Sequence, residues 1–299
     1  MNAPEKTKQL DRAAENVGNI VHLEHFNVVH NDQRLATLFY VVGLGGTRDP
    51  YLFPGLDNMW VNFGRTQAHL PSRGPAPRPE RLRGTIGLVV PDLGELRARL
   101  ARLGAELKRV APEKPVQFSW QEKDGAVEAT CPWGNRFRCH APAPEFGPTQ
   151  LGLAYVDFEV PPGSAEGIAR FYQEVMLAPS SLEGKRAVVS VGRSQRLVFT
   201  ETLGEIPGYD GHHIQVYLAD FATPYQWLKQ RELISMEADA HEWRFQWIVD
   251  PADGKRLFQI EHEVRSMRHP LFARPLVNRN PAITNTNYLP GHDAFRGTY

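Results

Sequence analysis

The sequence predicts an α+β fold: four β-α-β-β-β units in tandem, followed by an extended C-terminal tail. Two observations predict it. The first is internal recurrence. Gly64-Arg65-Thr66-Gln67 returns as Gly192-Arg193-Ser194-Gln195, and Pro91-Asp92-Leu93 returns as Ala219-Asp220-Phe221, both at an offset of 128 residues. Phe39-Tyr40 matches Phe171-Tyr172 at an offset of 132, and Cys131-Pro132-Trp133-Gly134 resembles Asp250-Pro251 followed by Asp253-Gly254. The second is that period-2 and helical patterns follow one another in the same order within each half.

In the first half, His22 to Val29 alternates as a strand, with Leu23, His25, Asn27 and Val29 on one face. A short helix over Gln33–Tyr40 follows, then strands Trp60–Phe63 and Gln67–Leu70 joined at a Gly64-Arg65 turn. A second unit opens with strand Ile86–Val90. Asp92 caps the helix Leu93–Leu103, which Gly104 ends. Strands Gln117–Gln121, Ala126–Thr130 and Asn135–His140 complete it, with turns at Asp124-Gly125 and Trp133-Gly134. The second half repeats the scheme with strand Tyr155–Val160, helix Ala165–Met176, and strands near Ala187–Val191 and Arg196–Glu201. Its second unit has strand His213–Leu218, helix Thr223–Glu232, and strands Arg244–Val249 and Arg256–Glu261.

These patterns divide the chain into an N-terminal extension (1–20), a first domain (21–142), a linker (143–150), a second domain (151–264) and a tail (265–299). Three prolines between Ala141 and Pro148 mark the linker. The tail has no helical or strand period. Its Leu271, Phe272, Leu276, Val277, Ile283, Tyr288 and Leu289 suit a segment packed on the body or on a second copy of the chain, so a homo-oligomer contact is expected there.

Composition narrows the function classes. Lys+Arg and Asp+Glu each number 34, so there is no basic excess to neutralise phosphates, and no nucleic-acid partner is expected. The one basic cluster, Arg73 to Arg83, is interrupted by Pro75, Pro77, Pro79 and Glu80. The best apolar run, Leu35 to Leu44, is about half of the ~20 residues that a bilayer requires, so no membrane partner is expected either. Met1 to Asn16 lacks a signal-peptide apolar core, and Cys131 and Cys139 read as packing thiols. A cytoplasmic protein is the expectation.

Several segments together resemble the vicinal oxygen chelate superfamily, the group of glyoxalases, bleomycin-resistance proteins and extradiol dioxygenases. They are Leu23-Glu24-His25-Phe26-Asn27-Val28, Gln67-Ala68-His69-Leu70-Pro71, Gly211-His212-His213-Ile214 and the turns at Cys131–Asn135 and Asp250–Gly254. The resemblance covers residues 21 to 264. It implies two tandem half-open barrels, each made of paired units, with a divalent metal on a concave face: Fe first, with Mn, Zn, Ni or Co as alternatives. Carried onto this chain, the ligand positions are His25, His69, Thr85 and Arg138 in the first half, with His140 as a further nitrogen. In the second half they are Tyr155, Leu197, His213 and Phe258.

Straight counting places Phe258 at the family carboxylate, and a β-bulge near Gln259 would put Glu261 there instead. Glu261 and Arg265 also have the glutamate–arginine spacing of the terminal strand in hydroxyphenylpyruvate dioxygenases, which this run resembles. The candidate metal ligands are therefore His25 and His69 in the first half and His213 and Glu261 in the second, with the choice between the halves open; Tyr155 is the candidate catalytic residue, to orient a substrate oxygen or donate a proton, and Glu201 lies at a strand end. The function implied is a metal-dependent, dioxygenase-type oxidoreductase acting on a small oxygen-bearing substrate. The alternatives are a non-catalytic binding protein with degenerate metal sites and a lyase or isomerase of glyoxalase type.

Overall fold

A computed structural model describes residues 12–52, 57–72, 74, 77–274, 276 and 282. Four β-α-β-β-β units follow one another. The first has β1 (Ile20–Asn27), α1 (Gln33–Ala36) running on as a π-helical turn (Thr37–Gly43), β2 (Thr47–Arg48), β3 (Asn58–Phe63) and β4 (Thr66–Pro71). The second has β5 (Gly84–Val89), α2 (Leu93–Val110), β6 (Ser119–Lys123), β7 (Ala126–Thr130) and β8 (Arg136–His140). The third has β9 (Gly152–Val160), α3 (Ala165–Glu174), β10 (Ser180–Glu183), β11 (Arg186–Ser190) and β12 (Arg196–Glu201). The fourth has β13 (His213–Leu218), α4 (Ala222–Lys229), β14 (Ile234–Asp239), β15 (Glu242–Val249) and β16 (Arg256–Ser266).

Helix ends follow the caps. Asp32 accepts from the backbone N–H of Arg34 and Leu35, and Asp92 accepts from Glu95. Helix α2 does not stop at Gly104 as the sequence suggests. Leu107 continues the buried stripe of Leu96, Leu100 and Leu103, and that burial outweighs the ~1 kcal/mol that a helical glycine costs. The first strands of the three-stranded meanders, β2, β10 and β14, were not legible. They are short or mostly exposed edge strands with little apolar alternation.

The strands form two eight-stranded sheets, β14-β15-β16-β13-β1-β4-β3-β2 and β10-β11-β12-β9-β5-β8-β7-β6. The first unit therefore pairs with the fourth, and the second with the third. Each sequence half was expected to gather its own set of ligands; each sheet instead draws on both halves. The cause is connection length. The short 143–150 linker delivers β9 directly alongside β5, where they pair antiparallel from Gly84↔Phe158 to Val89↔Gly152. The fourth unit then closes on the first through the antiparallel β1·β13 seam.

Alternation gives each sheet an apolar face, and both feed one core that includes Phe26, Phe39, Phe137, Phe158, Phe199 and Phe245. Phe26 of β1 meets Phe137 of β8 at 5.9 Å, which joins the two sheets. Cys131 and Cys139 are buried free thiols within that core. No described helix is long and apolar enough to cross a membrane.

The opposite face of the first sheet is polar and yet closed to water. Asn58, Asn62, Gln67, His25, Asn27, His213, Gln215, Glu263, Glu242 and Arg265 all lie on it buried. A bulge on β1 and the alternation of β16 set its composition. On β1 the register slips between Leu23 and His25, so Glu24 and His25 both reach this face. On β16 plain alternation turns Glu261, Glu263 and Arg265 to this side and Phe258, Ile260 and Val264 to the core, although the pairing with β15 slips between Phe245↔His262 and Trp247↔Gln259. Phe258 stays on the core side against Phe158 and Phe199.

Burial holds three histidines outside the central site neutral. It lowers His262 to about 3, and His30 and His269 to about 4. Unfolded imidazoles take up protons near 6.5, so the stability these groups carry is complete above that pH and lost as pH falls toward the folded values. Glu80, pushed up to about 7 by burial, acts in the opposite sense. Three groups against one predict that the metal-free protein's Tm falls between pH 6.5 and 4 in thermal denaturation. A flat or rising Tm over that range would contradict the burial assignments.

Candidate metal centre

On the polar face of the first sheet three imidazoles converge. His25 (β1), His69 (β4) and His213 (β13) each offer a ring nitrogen, and the three nitrogens lie within 4.8 Å of one another. Ring centroids are 5.8 Å apart for His25–His69, 5.9 Å for His25–His213 and 6.2 Å for His69–His213. Strand registry makes this meeting inevitable. Asn27 of β1 pairs with His69 on one side and His213 on the other, and His25 is the next residue of β1 on that face.

His25 is prepared to accept a metal. Its Nδ1 lies 3.3 Å from Glu24 Oε2; a carboxylate only accepts, so Nδ1 carries the proton and Nε2 presents its lone pair. That Nε2 is buried and has no hydrogen-bond partner. A carboxylate behind a histidine with its far nitrogen free is the arrangement that orients metal-binding imidazoles. His213 Nε2 is likewise buried without a hydrogen bond, 3.4 Å from Glu263 Oε2, while its Nδ1 lies 3.8 Å from Glu261 Oε1.

His69 is held differently. Nδ1 accepts from Asn27 Nδ2 at 2.7 Å and Nε2 donates to Asn58 Oδ1 at 2.8 Å, so ligation requires one asparagine to release it. Trp60 stacks on His69 at 3.7 Å and meets the edge of His25 at 4.9 Å, fixing both rings.

Electrostatics favour a cation here. Burial lowers the His25 imidazole more than its Glu24 bond raises it. Burial and then the neighbouring His25 and His213 hold His69 well below the ordinary range. Both are thus neutral, which is the ligating form. Burial would raise the Glu24 carboxyl, but the His25 hydrogen bond and the Arg265 charge outweigh it and hold the group down to about 2. Around the histidines, Glu24, Glu242, Glu261 and Glu263 pair with only two guanidiniums, Arg244 and Arg265. Two carboxylate charges are left over in a buried region, and a divalent ion would balance them. The residues present fit such an ion.

The expected carboxylate, Glu261, faces His213, and the two are register partners; straight alternation from the core-facing Phe258 puts it there without a flip by a bulge. Its oxygens, however, take Arg244 Nη1 at 2.9 Å and Gln246 Nε2 at 3.1 Å. Glu263 stands closer to a histidine nitrogen, with Arg265 Nη2 at 2.5 Å and Arg244 Nη2 at 2.6 Å behind it. The sequence reading missed it, although a residue two beyond Glu261 on a strand necessarily shares its face.

Tyr155 is not brought to the histidines. It lies on β9 in the other sheet, its hydroxyl 2.9 Å from His140 Nε2 and pushed up to about 12 by burial. Thr85, Arg138 and Leu197 belong to that sheet too, and among the described residues only the histidine trio forms a metal-holding cluster. Glu201 accepts from the Ala165 backbone N–H at the start of α3, a capping role. After β16, Phe272 packs on Tyr217 at 4.9 Å, and Arg274 pairs with buried Asp49 at 2.6 Å. A cleft of about 1000 Å³ runs beneath that segment to Glu24 and Gln67. An oligomer contact through the remainder of the tail falls on residues outside those described.

Comparison with known proteins agrees with the fold. A Bacillus subtilis subsp. subtilis str. 168 protein named as a candidate dioxygenase superposes with a TM-score of 0.57 at 14% identity, over 90% of each chain. The chain shares the fold of that protein. Glyoxalase I from Zea mays superposes with a TM-score of 0.54 at 13% identity, over 82% of this chain and 92% of that one. A variant of the same maize enzyme gives 0.56 at 14% identity. No family model and no curated protein sequence matches the chain.

Replacing His25 or His213 by alanine is expected to reduce bound divalent metal at least tenfold by elemental analysis, with circular dichroism unchanged. Tyr155→Phe should leave metal content as in the parent and cost about 1 kcal/mol of stability, from the lost bond to His140. Metal loss in Tyr155→Phe would place the centre in the wrong sheet.

Proposed function

We propose that the chain is a metal-dependent enzyme acting on a small oxygen-bearing organic molecule, and that its reaction is a dioxygenase-type oxidation with iron as the ion. The observation that carries this is the pair of buried Nε2 atoms on His25 and His213 that have no hydrogen-bond partner, with the Glu263 carboxylate alongside. Two imidazoles and one carboxylate, with further positions open, form the donor set of non-haem iron oxygenases. A bound ion would supply Lewis acidity and a place for substrate oxygens.

The protein's own groups do the rest. His25, His213 and Glu263 hold the ion, and Glu24 fixes the His25 tautomer. Arg244 and Arg265 hold the Glu263 carboxylate in place. Trp60, stacked on His69 and edge-on to His25, shields those rings from water. The likeness to the Bacillus subtilis candidate dioxygenase supports this reading.

The likeness to maize glyoxalase I favours a second reading, an isomerase or lyase. Such chemistry needs a carboxylate base poised near neutrality. Here burial would raise Glu263, but Arg265, His213 and the other neighbours hold it well below the carboxylate range, which makes it a weak proton acceptor. A non-catalytic binding protein would need no converging imidazoles at all.

The test is anaerobic loading with Fe(II) followed by exposure to oxygen and a panel of catechols and hydroxy- or oxo-acids. One O2 consumed per substrate at an oxygen electrode, falling more than about 100-fold in His25→Ala, is expected. Turnover of an enolisable substrate without oxygen uptake would move the assignment to the isomerase reading. Failure to bind any divalent ion would move it to a binding protein.

A further inference from the structure

One side chain in the site has no structural purpose in the protein alone. Gln215 is completely buried, and neither its Nε2 nor its Oε1 has a hydrogen-bond partner among the described residues. It is the middle residue of β13 on the polar face, two beyond His213, in register with His25 on one side and Glu263 on the other. A buried carboxamide with both ends unsatisfied is costly, and folded proteins rarely keep one unless a missing partner satisfies it. The neighbouring groups point the same way. Trp60 Nε1, His25 Nε2 and His213 Nε2 are also buried and without hydrogen-bond partners. Of the buried groups without partners, these four share the polar face of the first sheet.

We propose that Gln215 is a substrate-recognising side chain of this centre, its NH2 donating to an acceptor and its C=O accepting from a donor on the same ligand. No purely apolar or purely anionic ligand can complete that pairing. The Trp60 indole N–H supplies one more donor, so the ligand must be richer in acceptors than in donors. This assignment rests on the proposed metal centre for the ligand's position, while the unsatisfied amide stands without it.

Two measurements on the full chain separate the claims. In the metal-free protein, Gln215→Met removes a polar group that has no partner, so Tm should rise by about 2–6 °C. An unchanged or lowered Tm would mean the amide is already satisfied, and would overturn the proposal. In the Co(II)-loaded protein, Gln215→Met should retain the metal and its absorption bands, while affinity for acetohydroxamate, a small probe with adjacent hydroxyl and carbonyl oxygens, falls about tenfold or more. Unchanged hydroxamate affinity would also overturn it. If the parent protein takes up no Co(II), the metal reading fails, and the Tm comparison alone still decides the role of Gln215.

Discussion

A sheet that turns its polar face inward must find a partner for each group on that face, because burial removes the water that would otherwise serve. In the first sheet most of this demand is met internally. Arg244 and Arg265 lace together four carboxylates, Gln67 bonds Asp49 and Asn62, and two asparagines clamp His69. What is left unmet is concentrated in one place: two imidazole nitrogens, a carboxamide, an indole N–H and a surplus of two negative charges. The second sheet lacks this concentration. Its Arg136 and Arg138 are matched by Glu159 and Glu128, and its His140 by Tyr155.

The duplication explains how one sheet came to hold the site. Each unit offers its first and last strands to the seam, so a pair of units brings four strands to one concave face. Pairing the first unit with the fourth sets β4, β1, β13 and β16 side by side, and these strands carry His69, His25, His213 and Glu263. Pairing by sequence halves would have left His25 and His69 opposite Thr85 and Arg138, neither of which ligates a metal, and apart from His213 and Glu263. The seam is thus the step that turns a dispersed set of residues into a centre.

Much of the fold was legible because it is written in local periodicity. The strands carry alternation, α2 carries a leucine stripe and an aspartate cap, and the repeated Gly-Arg-Thr/Ser-Gln turn marks the duplication. His25, His69 and His213 were legible from the resemblance, and they meet. Tyr155 was placed by the same matching, which assumed that each half closes on itself; unit pairing is a long-range choice that no local pattern encodes. Glu263 was overlooked beside Glu261, although strand parity makes them equivalent. Gln215 and Trp60 carry no motif, and their significance lies only in what they fail to bond once buried.

The central claim is that His25, His213 and Glu263, from strands far apart in sequence, bind one ion together. X-ray absorption of the protein loaded with one equivalent of Fe(II) or Co(II) tests it most directly. The account predicts scattering from two imidazoles and a carboxylate oxygen at about 2.0–2.2 Å, with one imidazole fewer in His213→Ala. A first shell of oxygen alone, or a shell unchanged by removal of His213, would contradict it.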